Sequence, residues 1–432
     1  MNPSKLLHLG LSALFVACTA CGADDSGGGG SGGAGGSPPV GTPLVVRGMV
    51  TEGASSGGES APLAGAAVRI GVDRDGNGSF AGAEMAETTT DDEGAYTVSL
   101  PVVAGERAVV SFESEGLASQ FRTIVAGAKG DARIDVTLAE LEVLTCKGTS
   151  CATAGSRLRI DGLPDGASGS ARLFNPVTEP NAFPGAFVES TGKLLISGVF
   201  SAVELTDDQG TPIGQLASKA TLRMALPVET WGIIIDIHEG TGAIEVPLYA
   251  FDETLGTWVR DGEAHLEDGT GAVIAESELP SIRDGSFAGV VTSVGEVGHF
   301  SYWNVDWPVD SHGCVTGIVV DTQGKPVQGA SVLVRGTTYS GSSETVTTGA
   351  DGRFCVDVMR SEGAGEDVDQ DGVNGETQRV LVRIAYDGKV YEGGEFPVDV
   401  GNASCGTGPC TDLGPLDLSP AKQLATPPCR WP

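Results

Sequence analysis

The chain has 432 residues, with 26 Lys and Arg against 57 Asp and Glu, a formal net charge of −31. At ~100–150 residues per domain that length predicts about three domains, and so negative a field repels phosphate backbones and anionic headgroups, which makes nucleic acid a poor partner. Hydrophobic residues at 40% suffice for cores, while 65 glycines, about twice the usual ~7% share, favour turn-dense β structure over long helices.

Residues 1–17 read as an export signal: Lys5 supplies the charge, and Leu6 to Ala17 form an apolar run too short to span a membrane. Two cysteines follow, and each resembles the lipobox at which bacterial signal peptidases cut before a lipidated Cys. Cys18, after Leu14, Phe15, Val16 and Ala17, fits better than Cys21, whose third preceding residue is Cys18 itself. Of nine cysteines, lipidation of Cys18 leaves eight, an even number suited to disulfides in an oxidising compartment. The alternative is a cleaved signal without lipid. The expected location is the cell envelope, lipid-anchored, most simply at an outer membrane and facing either the periplasm or the exterior. Residues 18–43, rich in Gly and Ser, form a flexible linker, and their GxGxxG matches lack the flanking strand and helix of a nucleotide site.

Residues 44–140 carry short alternating runs, PLVVRGMV, AAVRIGV, AYTVSL, RAVVSFES, QFRTIVA and ARIDVTL, which predict the strands of a β-sandwich. Residues 313–418 repeat the scheme. Gly48 and Val50 match Gly317 and Val319; Pro62, Gly65, Ala66 and Val68 match Pro326, Gly329, Ala330 and Val332; Thr89, Thr90, Gly94 and Tyr96 match Thr347, Thr348, Gly352 and Phe354. Both copies resemble the carboxypeptidase regulatory-like domain, a transthyretin-like β-sandwich also grouped with starch-binding-like folds. Such modules are appended to many unrelated proteins, so the resemblance implies a fold and leaves function open.

Residues 141–312 form a β-rich middle domain. Phe251, Asp252, Gly256, Thr257 and Trp258, followed by His299, Phe300, Ser301, Trp303, Asn304 and Asp306, resemble the domain that accompanies such sandwiches in the family of cartilage intermediate layer protein. Residues 419–432 are a C-terminal tail. The expected fold class is therefore all-β and multi-domain, two transthyretin-like sandwiches flanking a β-rich middle.

The sharpest local motif is DRDGNGSFAGAE, which satisfies the calcium-loop template D-x-[DN]-x-[DN]-G-x5-E. Hard Ca²⁺ requires several oxygens on a tight loop: Asp73, Asp75 and Asn77 supply side chains, Ser79 its carbonyl, Gly78 the turn, and Glu84 a bidentate closure, with a water where Ala81 stands. Strand-like flanks separate it from an EF-hand, so a loop inserted between strands is expected; the competing reading is a solvated acidic turn. A second stretch, EDVDQDGVNGE, places Asp367, Asp369 and Asp371, with Asn374 and Glu376, at similar spacing, but Val373 breaks the template.

Among the cysteines, Cys146 with Cys151 and Cys405 with Cys410 each close a short loop, in CKGTSC and CGTGPC, where export argues for disulfides over zinc. Cys314 and Cys355 align through the repeat with Val45 and Thr97 on two strands of one sandwich, which suggests a third bridge. Cys21 and Cys429 have no evident partners.

No HExxH, no GxSxG and no histidine cluster among His238, His265, His299 and His312 marks a catalytic site, so a non-enzyme is expected. Trp231, Trp258, Trp303 and Trp307 are either core anchors or a sugar-stacking platform; the core is preferred, since large aromatics are highly buried on average. The leading expectation is a lipid-anchored envelope binding or scaffold protein of calcium-stabilised sandwiches, joined to the membrane by its lipid and in contact with a glycan or envelope protein. The alternatives are a carbohydrate-binding surface lipoprotein and an accessory lipoprotein of an envelope hydrolase or transport system.

Overall fold

The computed structural model describes residues 41–53, 61–126, 130–179, 182–234, 242–309, 312–339, 343, 345–366, 374–387, 389–401 and 403–424. The chain is all-β and multi-domain. Among the described residues no helix is long and apolar enough to cross a membrane.

In the first sandwich the strand Thr42–Gly53 runs antiparallel to Ala95–Val102 and parallel to Gly130–Arg133 and Val136–Glu140. Tyr96, Val98, Leu100 and Val102 are all buried at every second position, so the alternation of a pleated strand sends one face inward. The opposing sheet runs Met85–Thr89, Ala67–Gly71, Arg107–Glu113 and Gln120–Val125, and Val68, Ile70, Val110, Phe112 and Ile124 close the core from that side.

The second sandwich pairs a three-stranded sheet, Arg353–Met359, His312–Val320 and Thr411–Asp417, with Thr345–Thr347, Ser331–Gly336, Arg379–Tyr386 and Lys389–Pro397. Its corner repeats that of the first bond for bond. The Thr90 hydroxyl donates to the Leu63 carbonyl at 2.6 Å and accepts from the Ala66 amide at 2.9 Å. Thr348 does the same to Val327 at 2.7 Å and Ala330 at 2.9 Å. Gly94 and Gly352 sit at φ 74° and 73°, and a Cβ on either would lie 2.4 or 2.6 Å from the carbonyl of Val50 or Val319. Both the positive φ and the close approach therefore require glycine.

The two sandwiches are not separate beads. Ile124 and Val125 pair in parallel with Thr345 and Val346, which fuses one sheet from each into a continuous sheet of eight strands. Parallel pairing of segments more than 200 residues apart leaves no local trace.

The middle region forms an eleven-stranded sheet whose two edge strands, Glu142–Val143 and Thr145–Lys147, are separated in sequence by Leu144 alone. Its edges are thus held together and the sheet curls into a barrel. Ten consecutive residues of the strand Leu194–Thr206 are buried, because both of its faces are covered. Val199, Val203 and Leu205 face the interior with Trp303 and Trp307. Leu195, Phe200 and Ala202 face outward into an aromatic layer against the first sandwich, and Leu194 and Ile196 meet Met359 of the second.

That aromatic layer includes Phe121, Phe174, Phe183, Phe251, Trp258 and Tyr302. Phe121 of the first sandwich lies 5.2 Å, centroid to centroid, from Phe251, which sits edge-on to Trp258 at 5.3 Å. Burying a large apolar side chain contributes about 1.5–3 kcal/mol, so this layer, with the shared sheet, holds the three regions as one body.

Candidate metal centre

The loop of residues 73–84 joins the strands Ala67–Gly71 and Met85–Thr89 and ends in the turn Gly82–Glu84. Its own carboxylates shape it. Asp73 accepts the amides of Gly76 and Asn77 on one oxygen, at 2.8 and 3.1 Å, and that of Gly78 on the other, at 3.0 Å. Asp75 accepts the Asn77 amide at 3.1 Å and its side-chain nitrogen at 2.8 Å. The Ser79 amide and hydroxyl donate to Asn77 Oδ1 at 2.8 and 2.6 Å. Glu84 returns to the loop start, accepting the Arg74 amide at 3.1 Å.

These bonds draw one carboxylate oxygen each of Asp73, Asp75 and Glu84 within 4.8 Å of one another. A carboxylate oxygen that accepts one N–H keeps a second lone pair, and hard oxygens converging on a tight turn suit a hard divalent cation. Of the residues read from the spacing, Asp73, Asp75 and Glu84 are brought together, whereas Asn77 Oδ1 already accepts both the amide and the hydroxyl of Ser79.

Arg74 went unnoticed in the sequence. Its guanidinium grips Glu106 through Nε and Nη2, both at 3.1 Å, and donates to the carbonyls of Pro101 at 2.6 Å and Ala83 at 3.3 Å. The Arg74 hydrogen bond is the main reason that the Glu106 carboxyl titrates below its usual range. The loop is thereby tied to the turn between the next two strands. A cleft of ≈ 370 Å³ opens beside it, lined by Val72, Asp73, Arg74, Glu106 and Val109 and by Leu255 of the barrel. No sequence signal links Arg74 to a glutamate 32 residues on.

Asp367, Asp369 and Asp371 lie outside the described residues, as do Cys18 and Cys21. The second acidic stretch falls between the strands Arg353–Met359 and Arg379–Tyr386, whereas the first loop joins strands whose counterparts are Ser331–Gly336 and Thr345–Thr347. The two stretches thus occupy different connections of the repeat.

Cys146 and Cys151 are bonded, as their spacing predicts. The other bridges differ from the expected pairs. Cys314 joins Cys410 and Cys355 joins Cys405, in place of Cys314 with Cys355 and Cys405 with Cys410. Register is the reason: Cys314 stands opposite Asp357 and Cys355 opposite Thr316, so the two are diagonal neighbours at a typical Cα spacing of ~7–8 Å, beyond the usual disulfide reach of ~4.4–6.8 Å. The Cys405 amide donates to Asp357 Oδ1 at 2.7 Å, which seats Cys405 over the strand of Cys355. Cys410 leads into Thr411–Asp417, which lies along the strand of Cys314.

All four tryptophans named above are core: Trp231 is 3% exposed, Trp307 1%, and Trp258 and Trp303 0%. They offer no face on which a sugar ring could stack. His265 contacts Glu267 at 3.0 Å, and His299 lies 3.4 Å from Asp261 with its ring against Trp303. His238 is outside the described residues.

Beside Trp303 the barrel buries a polar chain. Ser197 donates to Asn304 Oδ1 at 2.7 Å, and the Asn304 amide donates to Asp306. Asp306 is completely buried, its Oδ1 has no hydrogen-bond partner, and burial pushes its carboxyl well above the usual range.

No family model matches the sequence, and no curated protein matches it. Among solved structures it is similar to mercury-inhibited catechol 1,2-dioxygenase from Acinetobacter sp. ADP1, at 15% identity over 24% of this chain and 55% of that one, with a TM-score of 0.19. It is also similar to the full-length major pilin SpaD from Corynebacterium diphtheriae, at 11% identity over 87% and 95% of the two chains, TM-score 0.17. The Bacillus anthracis TIE protein matches at 11% identity over 89% of this chain and 51% of its own, TM-score 0.17. The chain spans little more than half of the dioxygenase's length. At such TM-scores these likenesses decide neither ligand nor activity. The fold itself defines the class: a multi-domain all-β protein of sandwich modules and a barrel, with disulfides in the barrel and in the second sandwich.

Proposed function

We propose that this chain is a non-catalytic, lipid-anchored scaffold of the cell envelope, in which calcium stiffens the first sandwich and both sandwiches are carboxypeptidase regulatory-like modules. The observation that carries the reading is the convergence of Asp73, Asp75 and Glu84 in a loop that meets the whole calcium template. The loop sits on a body already made stiff by the eight-stranded sheet and the aromatic layer. A rigid body on a Gly-rich tether presents a surface at a distance from a membrane, and Cys18, with Cys21 as the alternative, carries the lipid. Asp367, Asp369 and Asp371 would hold a second ion.

Two experiments test it. Calcium titration of the EDTA-treated protein should raise its melting temperature, and Asp73→Ala with Glu84→Ala should remove the part of that rise due to the first loop; an unchanged melting curve in the wild type would remove calcium from the reading. Labelling cells with a fatty-acid probe should mark the wild type and lose the mark in Cys18→Ala; retention there with loss in Cys21→Ala moves the anchor, and no label in the wild type ends the lipoprotein claim.

A further inference from the structure

Four of the cysteines meet at one spot. Along the strands His312–Val320 and Arg353–Met359, Val315, Phe354, Val356 and Val358 face the core. Cys314 and Cys355 alternate with them and share the opposite face. The turn of residues 404–410 covers that face, held by Cys405 on Asp357 and by the Thr407 amide on the Ser404 carbonyl at 2.9 Å. The result is two disulfides in contact: Cys355 Sγ, bonded to Cys405, lies 3.6 Å from Cys410 Sγ, bonded to Cys314. Cys355, Cys405 and Cys410 are half-buried, whereas Cys314 is 1% exposed.

Thiol–disulfide exchange needs a thiolate next to a disulfide sulfur, and opening Cys355–Cys405 creates that arrangement. We propose that these two disulfides form one exchangeable relay, in which an external dithiol opens Cys355–Cys405 and the freed Cys355 thiolate then displaces Cys314 from Cys410. In the first step a thiolate of the dithiol bonds to Cys405 Sγ, the Cys355–Cys405 bond breaks, and Cys355 leaves with the electron pair. The second thiol of the dithiol resolves the mixed disulfide, releasing Cys405 as a thiol and the dithiol in its oxidised, cyclic form; two electrons have entered the protein. Next, Cys355 Sγ bonds to Cys410 Sγ, the Cys314–Cys410 bond breaks, and the electron pair departs on Cys314, which takes a proton. This second step consumes no oxidant or reductant.

The exchange moves a covalent tie. Cys314–Cys410 fastens the start of the parallel edge strand Thr411–Asp417 to the central strand of the sheet; Cys355–Cys410 fastens it to the strand on the far side. The buried pair thereby becomes reducible through the accessible one.

The test is disulfide mapping of the folded protein. After treatment with limiting dithiothreitol, acid quenching and alkylation at low pH, peptides linked through Cys355 and Cys410 should appear, with Cys314 and Cys405 alkylated. In Cys405→Ser, which leaves Cys355 free beside the second disulfide, two isomers should coexist without any reductant, one alkylated at Cys355 and one at Cys314. Alkylation confined to Cys355 and Cys405, with Cys314–Cys410 intact throughout, overturns the relay. So does a Cys355–Cys410 species that forms only in denaturant. The wild-type experiment stands alone if the variant does not fold.

Discussion

Thr90 and Gly94 hold the corner of the first sandwich with the same hydrogen bonds that Thr348 and Gly352 use in the second, yet the two modules carry different devices around it. The first has no cysteine among its described residues and inserts an acidic loop, clamped by Arg74 on Glu106. The second carries two disulfides over its three-stranded sheet. One frame can thus carry either an acidic loop or a pair of disulfides, because the corner that defines it is made of backbone geometry and a single hydroxyl, and the connections around it are free to vary. Under the calcium reading proposed above, the loop would answer to free cations, while the bridges answer to reductants.

The largest expected effect breaks the second module. Removing the Cys314–Cys410 bridge, whose ends are 96 residues apart, with Cys314→Ala and Cys410→Ala should cost about 4–5 kcal/mol on the chain-entropy account. Hydrogen exchange should then quicken in Arg353–Met359 and Thr411–Asp417 while Ala95–Val102 stays protected. If both sandwiches open together, the shared sheet makes them one cooperative unit and the contrast between them disappears.

Chelation addresses the first module. Calcium at a hundred times its dissociation constant should contribute about 3 kcal/mol, and EDTA should expose Ala67–Gly71 and Met85–Thr89 to exchange in the wild type, with no further exposure in Asp73→Ala with Glu84→Ala. A matched pair of substitutions tests what the modules share. Thr90→Val and Thr348→Val each strip a buried amide of its acceptor, and each should cost about 1–3 kcal/mol in chemical denaturation. Equal costs support a common corner; a cost in one copy alone breaks the equivalence.

The barrel between them supplies a control with its own signature. Asp306 keeps its proton in the folded state to a pH well above the usual carboxyl range, so between the ordinary value and the raised one the folded state binds more protons than the unfolded. Stability then falls as pH rises through that window, by at most about 1.4 kcal/mol per pH unit. Asp306→Asn should flatten this slope in melting curves taken from pH 4 upward and should leave the effects of EDTA and of the cysteine variants unchanged. A slope that persists in the variant assigns the pH dependence to other groups.

Much of this was legible in the sequence because it is local. Alternation in AYTVSL places Tyr96, Val98 and Leu100 on one face; the paired T-T-x-x-[ED]-G turns mark the repeat; the four residues between Cys146 and Cys151 close a local bridge, although the same spacing does not join Cys405 to Cys410; and the template from Asp73 to Glu84 sets its own turn through side chains reaching two to five residues along. What depends on register was not legible. The two-residue offset between the Cys314–Asp357 and Thr316–Cys355 pairs separates Cys314 from Cys355, and nothing within either strand encodes it.

The amino-acid sequence by itself thus determined the strands, the repeated corner and the self-bonded acidic loop, since each follows from backbone preferences and nearby side chains. Only the tertiary structure decided that the sandwiches share a sheet through Ile124 and Thr345, that four sulfurs meet over the sheet of the second, and that Arg74 finds Glu106. Those contacts join segments that loop closure must first bring together, and they are selected by how whole faces pack, a quantity that belongs to the assembled fold.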